Sequence, residues 1–366
     1  MKAISLFSGA GGMDVGFRKA GFHIVCANDI DRDACETYRL NHGRHIHEGN
    51  LDDLIHEILS VGRAHEIACL FGGPPCQGFS VAGKMDAHDP RSKLVWSFME
   101  AVERVQPTAF VMENVKALAS LEKFKAVRES LFRKAIDLGY SVDLLVLNSR
   151  DFGVAQSRER MFLVGFKGRK NRFRRAIRCE QKAAPNLRDL LLAVGKVGAE
   201  GNNRTCNAKV TAAVAPVLRK SPYAGMLFNG QGRPLNLDGH SATLPASMGG
   251  NRTPIVDDEA LYNGKRPWVV EYHDMLMRGV PPIDWRTVPA RLRRLTIDEA
   301  AAIQSFPRDY NFFGRQSSVF KQIGNAVPCN LAAAVGSAVF KLLTMDSYAI
   351  EREFGDDEMQ LQLAAI

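Results

Sequence analysis

The sequence predicts an α/β fold: a doubly wound, mostly parallel sheet of the Rossmann-like kind, joined to a second, smaller, loop-rich domain. Three observations carry this expectation. From residue 1 to about 165, short β-rich runs alternate with helical stretches, as strands that pair in parallel through helical crossovers must. The first strand runs directly into a glycine-rich turn and a helix, SLFSGAGGMDVGF. From residue 167 to about 290 the periodicity fades among Gly, Pro, Asn and Arg, and it resumes near Thr296.

In chain order, strands are expected over residues 3–7, 23–28, 66–71, 109–112, 141–148 and 161–166, each apolar or β-branched and bounded by turn residues. The last two flank a QSRER turn and fit either the parallel order or an antiparallel hairpin at an edge. Helices are expected over 94–105 and 123–138. Apolar segments at 223–228 and 268–272 mark the loop-rich stretch as folded. TIDEAAAIQSF carries a capping box, with Thr296 as N-cap and Glu299 at the third helical position. Residues 326–343 form a strongly apolar helix, and EREFGDDEMQ reads as a solvated or frayed one. The expected division is a first domain at 1–166, a second at 167–290, a return to the first at 291–345 and an acidic tail at 346–366.

With 366 residues, 46% of them hydrophobic, the chain can bury one large core and a smaller one. It contains no run of about 18 uncharged apolar residues, so no membrane span is expected. The opening MKAISLFSGAGG reaches glycine too soon for a signal peptide, so a cytoplasmic enzyme is expected. The seven cysteines (26, 35, 69, 76, 179, 206 and 329) are scattered and form no C-x-x-C pair, which predicts reduced thiols and neither disulfides nor a metal site. Six of them are expected to be small core residues. Residues 166–300 hold 23 Lys+Arg and 12 Asp+Glu, a balance of +11, whereas the rest hold 25 and 28, a balance of −3. Such a basic middle segment suits a polyanion partner or a solvated surface, and charge alone leaves both open.

Four motifs carry chemistry. The glycine turn after the first strand lets backbone approach a ligand closely, although NAD, flavin and S-adenosylmethionine all use such turns. The next strand, HIVCAND, ends at Asp29, where an acid would bind ribose hydroxyls or simply be solvated. GGPPCQGFS, residues 72–80, holds Cys76 between rigid prolines and glycines at a strand end, an unrewarding setting for a core thiol and a suitable one for a nucleophile. In FVMENV, Glu113 ends an apolar strand where desolvation would raise a carboxyl pKa, or where a solvated Glu would sit equally well. In GVAQSRERMFLVGF, Gln156, Arg158 and Arg160 are spaced by two, so an extended chain puts them on one face. Two guanidiniums there suit a phosphate or a base carbonyl, or else guard an edge strand.

These motifs, in this order, resemble the DNA (cytosine-5) methyltransferase family. RRLTIDEAAAIQSFP (293–307) and KQIGNAVP (321–328) resemble its last two motifs. The likeness covers 1–165 and 291–345, with a variable insert between. It implies methyl transfer from S-adenosylmethionine to C5 of a cytosine flipped out of double-stranded DNA. Cys76 would be the nucleophile at C6, and Glu113 would hold the N3/N4 edge and supply a proton. Asn114 would support the loop, Arg160 would bind the cytosine O2 with Arg158 and Gln156 bracing it, and Ser80 would sit at the root of a closing loop, 81–93. The donor would lie against Phe7, Gly9, Gly11, Gly12, Asp29, Ile30 and Leu94, with Asn325 closing the pocket.

Two departures from the family pattern stand out: Asn50 replaces the usual Asp facing the adenine amino group, and Ser5 replaces a common Asp. The segment FNGQGRPLNLDGHSATL (228–244) resembles part of the family's target-recognition domain, with Gln231 filling the gap left by the flipped base and Thr243 on a phosphate. The likeness further implies a monomer that needs no metal, of a restriction–modification system with a cognate restriction endonuclease or standing alone. Rival readings are an RNA cytosine methyltransferase, an inactive DNA-binding scaffold and a NAD-dependent dehydrogenase. The last explains only the first glycine turn.

Overall fold

The computed structural model describes residues 1–75 and 93–354. In chain order the elements are β1 (Lys2–Leu6), α1 (Gly12–Lys19), β2 (His23–Asp29), α2 (Arg32–His42), β3 (Ile46–Glu48), α3 (Leu51–Ala64) and β4 (Ile67–Gly72). Then follow α4 (Lys93–Val105), β5 (Ala109–Val115), α5 (Lys116–Ser120), α6 (Lys125–Asp137), β6 (Tyr140–Asn148), β7 (Glu159–Lys167), α7 (Phe173–Ala176) and α8 (Leu187–Val194). The remainder comprises β8 (Ala212–Val217), β9 (Met226–Phe228), β10 (Ile255–Asp257), α9 (Asp258–Tyr262), α10 (Trp268–Met277), β11 (Leu292–Arg294), α11 (Ile297–Ile303), α12 (Gln316–Asn325), α13 (Cys329–Thr344) and α14 (Ser347–Phe354).

Seven strands form one sheet in the order β3-β2-β1-β4-β5-β7-β6. The first five are parallel, and β7 runs antiparallel to both β5 and β6. The sheet is thus of the expected doubly wound, mostly parallel class, and its last two strands form the antiparallel hairpin. Alternation divides each strand between two cores. Phe71, Val111 and Val164 face α1 and α13, whereas Leu70, Phe110 and Leu163 face the layer that includes Phe98 and Leu131. The Phe17 ring stacks on Phe71 at 3.9 Å between centroids.

Two expectations are corrected here, and β3, whose three residues are too few to show a period, is a strand the sequence does not predict. β5 extends through Glu113 to Val115, so Glu113 lies within a strand, opposite Phe162, and not at its tip. The last long helix starts at Cys329, not 326, because Pro328 supplies no amide donor and keeps Val327 out of the helical region.

Packing also divides the chain differently from the sequence expectation. Phe173, Ala176 and Ile177 lie in the core beneath α13, not in the second lobe. Conversely β11 pairs with β10, and Leu295, Ile303, Phe306 and Phe320 pack with Leu187, Leu244 and Val256 of the second lobe. Of the 291–345 segment, α13 is the part that returns to the sheet. Phe354 is 3% exposed and its carbonyl accepts from Arg175 Nη1 at 3.0 Å, so the acidic end is docked as far as residue 354; residues 355–366 lie outside the described residues. The apolar stretch Gln316–Thr344 is long enough to cross a membrane, yet it is two helices broken at residues 326–328 and mostly buried. Of the six described cysteines, Cys26, Cys35, Cys69 and Cys329 are buried as expected; Cys206 is half-buried and Cys179 exposed. The capping box forms as read: Thr296 Oγ1 accepts from Glu299 N at 3.0 Å, and the Glu299 carboxylate accepts from Thr296 N at 2.9 Å.

Candidate active site

The carboxyl ends of β1, β2, β4 and β5 and the start of β7 share one edge of the sheet, where ligands of open α/β sheets bind. At its right half stands Glu113. Its Oε1 meets Arg160 Nε at 3.0 Å, and the two side chains are only 13% and 15% exposed. Burial raises the Glu113 pKa, and the Arg160 and Arg158 charges offset only part of that shift. A Cβ on Gly73 would lie 2.8 Å from Glu113 Oε2, so the second glycine of GGPP exists to let the carboxylate cross the backbone. Asn114, fully enclosed, donates from Nδ2 to Pro74 O at 3.2 Å. It thereby anchors the chain two residues before Cys76. Cys76 itself, Ser80 and loop residues 81–92 lie outside the described residues.

The three spaced side chains of the QSRER turn divide. Arg160 meets Glu113. Arg158, 2% exposed, instead donates from Nη1 to Leu244 O at 3.1 Å and from Nη2 to Gly324 O at 2.8 Å. Gln156 is wholly buried, donating to Gln304 Oε1 at 2.9 Å and accepting from Leu244 N at 3.0 Å. Both therefore stitch the second lobe and the C-terminal segment to the sheet edge, and Arg158 is a positioning residue here, not the surface guanidinium its spacing suggested. Gln304, which the sequence reading left without a role, is the hub: it also donates to Ile323 O at 2.6 Å. Its only signal in the sequence was a polar residue at the end of an otherwise apolar helix.

At the left half, the glycine turn is pressed from behind and open in front. Cβ atoms on Gly11 and Gly12 would lie 2.9 Å from Tyr310 Oη and 2.9 Å from Val327 O, whereas one on Gly9 would meet nothing within 4 Å. Phe7 takes a left-handed φ of 53°, unusual outside glycine and of the kind found at functional turns. Asp29 accepts from Gly9 N at 2.7 Å and from Asp31 N at 2.8 Å, which ties the turn to the end of β2. Burial raises its pKa against the pull of those amides. Beside it Ile30 is 70% exposed. Leu94 is half-buried on the first turn of α4. The Asn50 Oδ1 accepts from Asp52 N at 3.4 Å, so this residue caps α3. Asn325 ends α12 with its side chain exposed, and the following Ala326 and Val327 cover Gly12.

In the second lobe, Gly230 and Gln231 both take left-handed φ, 81° and 68°. Gln231 is exposed at the tip while its neighbour Gly232 donates to Asn251 O at 3.0 Å. Thr243 is exposed and donates from Oγ1 to Ser157 O at 3.1 Å, so its anchor is the sheet-edge turn. Among the described residues no three His, Cys, Asp or Glu side chains gather as a metal site.

Comparison with known proteins agrees with this geometry. Residues 1–341 match the family described as C-5 cytosine-specific DNA methylase. The Type II methyltransferase M.FnuDI of Fusobacterium nucleatum is 31% identical over 360 residues, 96% of this chain and 98% of that one. M1.HphI of Haemophilus parahaemolyticus, also a Type II methyltransferase, is 35% identical over 93% of this chain and 87% of its own length. Among solved structures, the S. pombe Dnmt2 methyltransferase superposes with a TM-score of 0.67 at 18% identity, covering 94% of this chain and 100% of that one, a likeness of fold.

Proposed function

The chain belongs to the C-5 cytosine-specific DNA methylase family and is a DNA (cytosine-5) methyltransferase, and on that premise we propose that it methylates a flipped cytosine in duplex DNA through a covalent Cys76 adduct, with S-adenosylmethionine as donor. The observation that carries this reading is the enclosed Glu113–Arg160 pair beside a backbone that Asn114 anchors two residues before Cys76.

C5 of cytosine is a weak nucleophile, and addition of a thiolate at C6 makes it enamine-like. In this reading the Cys76 sulfur forms the bond to C6. Glu113, whose burial favours its protonated form, donates that proton to N3 and so stabilises the adduct. Arg160 holds Glu113 in place and reaches the base O2. The bound donor would supply an electrophilic methyl group, which C5 takes. Loss of the C5 proton to water, with return of the N3 proton to Glu113, then drives elimination of Cys76 as a thiolate and restores aromaticity. Asp29, Phe7, Gly9, Gly11, Gly12, Ile30, Asn50, Leu94 and Asn325 would hold the donor; the open face of Gly9 beside the Asp29 carboxylate and the Ile30 side chain fits such a group.

Gln231, exposed on two consecutive left-handed residues, would enter the gap left by the flipped base, since its amide both donates and accepts. Thr243 would face a phosphate near the target. By likeness to its Type II relatives, the enzyme would protect the site cut by a cognate restriction endonuclease.

The test is Cys76→Ala. Methyl transfer should vanish while donor binding persists, and DNA containing 5-fluorocytosine should trap the wild type covalently, because fluorine cannot leave as a proton. Turnover by Cys76→Ala above a trace would sink the mechanism.

A further inference from the structure

Behind the glycine turn lies a chain of polar side chains that the catalytic reading leaves unused. Arg18 Nη1 is 3.1 Å from His42 Nδ1, His42 Nε2 is 2.8 Å from Tyr310 Oη, and the Tyr310 hydroxyl donates to Ala10 O. Chemistry fixes the direction of this chain. A guanidinium can only donate, so His42 Nδ1 accepts. The imidazole proton is therefore on Nε2 and is donated to Tyr310 Oη, whose own hydrogen goes to Ala10 O. Ala10 sits inside the turn S-G-A-G-G, between the two glycines that take left-handed φ, 54° and 83°.

Tyr310 is 6% exposed, and a side chain on Gly11 would strike both its hydroxyl and His42. Burial, and then the Arg18 charge, push the His42 pKa down to about 3, so the ring stays neutral throughout the working range. The segment bearing Tyr310 is also clamped to α2: Asn41 Nδ2 donates to Asn311 O at 2.8 Å, and Asn311 N donates to Asn41 Oδ1 at 3.0 Å.

We propose that His42 and Tyr310 are positioning residues for the methyl donor: a one-way donor chain, Arg18 to His42 to Tyr310, holds the Ala10 carbonyl turned into the protein and so fixes the peptide planes of the Gly9–Gly12 turn on which the donor lies, with Gly9 N already donated to Asp29 and Gly11 N to Ser8 O. This rests on the reading that the donor lies on the glycine turn. The carbonyl of Ala10 must point somewhere. With Tyr310 in place it points into the protein, and without that donor the peptide loses its internal partner and is free to turn a carbonyl oxygen toward the ligand.

The experiment is equilibrium binding of S-adenosylhomocysteine to the full chain by calorimetry, with DNA affinity measured on the same samples. Tyr310→Phe keeps the ring and loses the hydroxyl. It should weaken S-adenosylhomocysteine about three- to tenfold, the range for one lost hydrogen bond, and leave DNA affinity unchanged. His42→Leu should match it, and the double variant should be no weaker than either single, since one chain is broken in each. His42→Gln, which can both accept and donate, should restore most of the affinity. Nitrogen NMR of His42 should report the Nε2-protonated neutral ring. Wild-type affinity in Tyr310→Phe overturns the proposal, as does an equal loss of DNA affinity, which would mean a general loss of fold. A wild type that does not bind S-adenosylhomocysteine overturns the donor-site reading itself.

Discussion

In the seven-stranded sheet, Leu70, Phe110 and Leu163 on one face and Phe71, Val111 and Val164 on the other are fully enclosed, and strand ladders satisfy the backbone. In the second lobe the strands come in pairs of at most six residues, and arginines take over the work of ladders. Arg294, 3% exposed, donates to Thr253 O at 2.9 Å and reaches Lys209 O and Asn229 O. Arg293 bridges Asp258 at 2.8 Å and the buried Glu299 at 2.7 Å, and Arg291 meets Asp257 at 2.6 Å. One region is specified by apolar periodicity and the other by long polar side chains that find carbonyls far away in sequence. Some arginines of the middle segment are therefore internal framework, and fewer of its positive side chains are free for phosphate than their count suggests.

The largest effect should come from the sheet edge. Glu113→Gln keeps the shape and loses the transferable proton, so single-turnover methyl transfer should slow by about 10²- to 10⁴-fold while S-adenosylhomocysteine binding holds. A loss below tenfold would remove Glu113 from the chemistry.

Next comes Asp14, a buried carboxyl beneath β1. Burial pushes Asp14 up to about 7 against hydrogen bonds from Tyr38 at 2.9 Å and Ser5 at 3.0 Å. Its folded pKa thus lies above its unfolded value. The stability linked to the retained proton is fully present below about pH 4 and is lost as pH rises through 7. Relative to Asp14→Asn, the wild type should lose on the order of 4 kcal/mol of unfolding free energy between pH 4 and pH 8. Parallel pH profiles for the two proteins would place the charge elsewhere.

Smaller again, Arg294→Leu should cost about 2–3 kcal/mol by stranding carbonyls, lowering DNA affinity while donor binding survives. Equal loss of both would mean that the two regions unfold as one unit. The smallest is Thr296→Ala, about 1 kcal/mol in chemical denaturation, since it removes one cap.

This contrast also explains what could be read in advance. In the seven-stranded sheet, strands of five or more residues announced themselves through runs of apolar residues, and the hairpin of β6 and β7 was among the alternatives; six-residue β8 in the second lobe went unread. Three-residue β3 offered no period to find. Asp29 and Arg160 were legible because a strand end or a spacing of two places a side chain whatever surrounds it, and Glu113 was found by its motif although the strand runs two residues past it. Arg158 was misplaced by the same rule: spacing gives a direction, and only the partners, Leu244 and Gly324, reveal that the direction leads inward. His42 and Tyr310 lie 268 residues apart and belong to no motif. Their meeting is a fact of tertiary packing, invisible to any local pattern.

The return of α13 to α1 has a consequence in time. Phe17 from the first helix and Val335 from α13 share one core, so neither face is complete until both exist. At about 5–20 residues per second, a ribosome needs roughly 15–65 seconds to get from one to the other. During that interval the glycine turn waits with its back uncovered, and the nascent enzyme is a sheet without a keystone. Its earliest-made motif should be the last to work, which makes premature termination upstream of residue 335 a silent failure and spares the cell a half-built methylase acting on its genome.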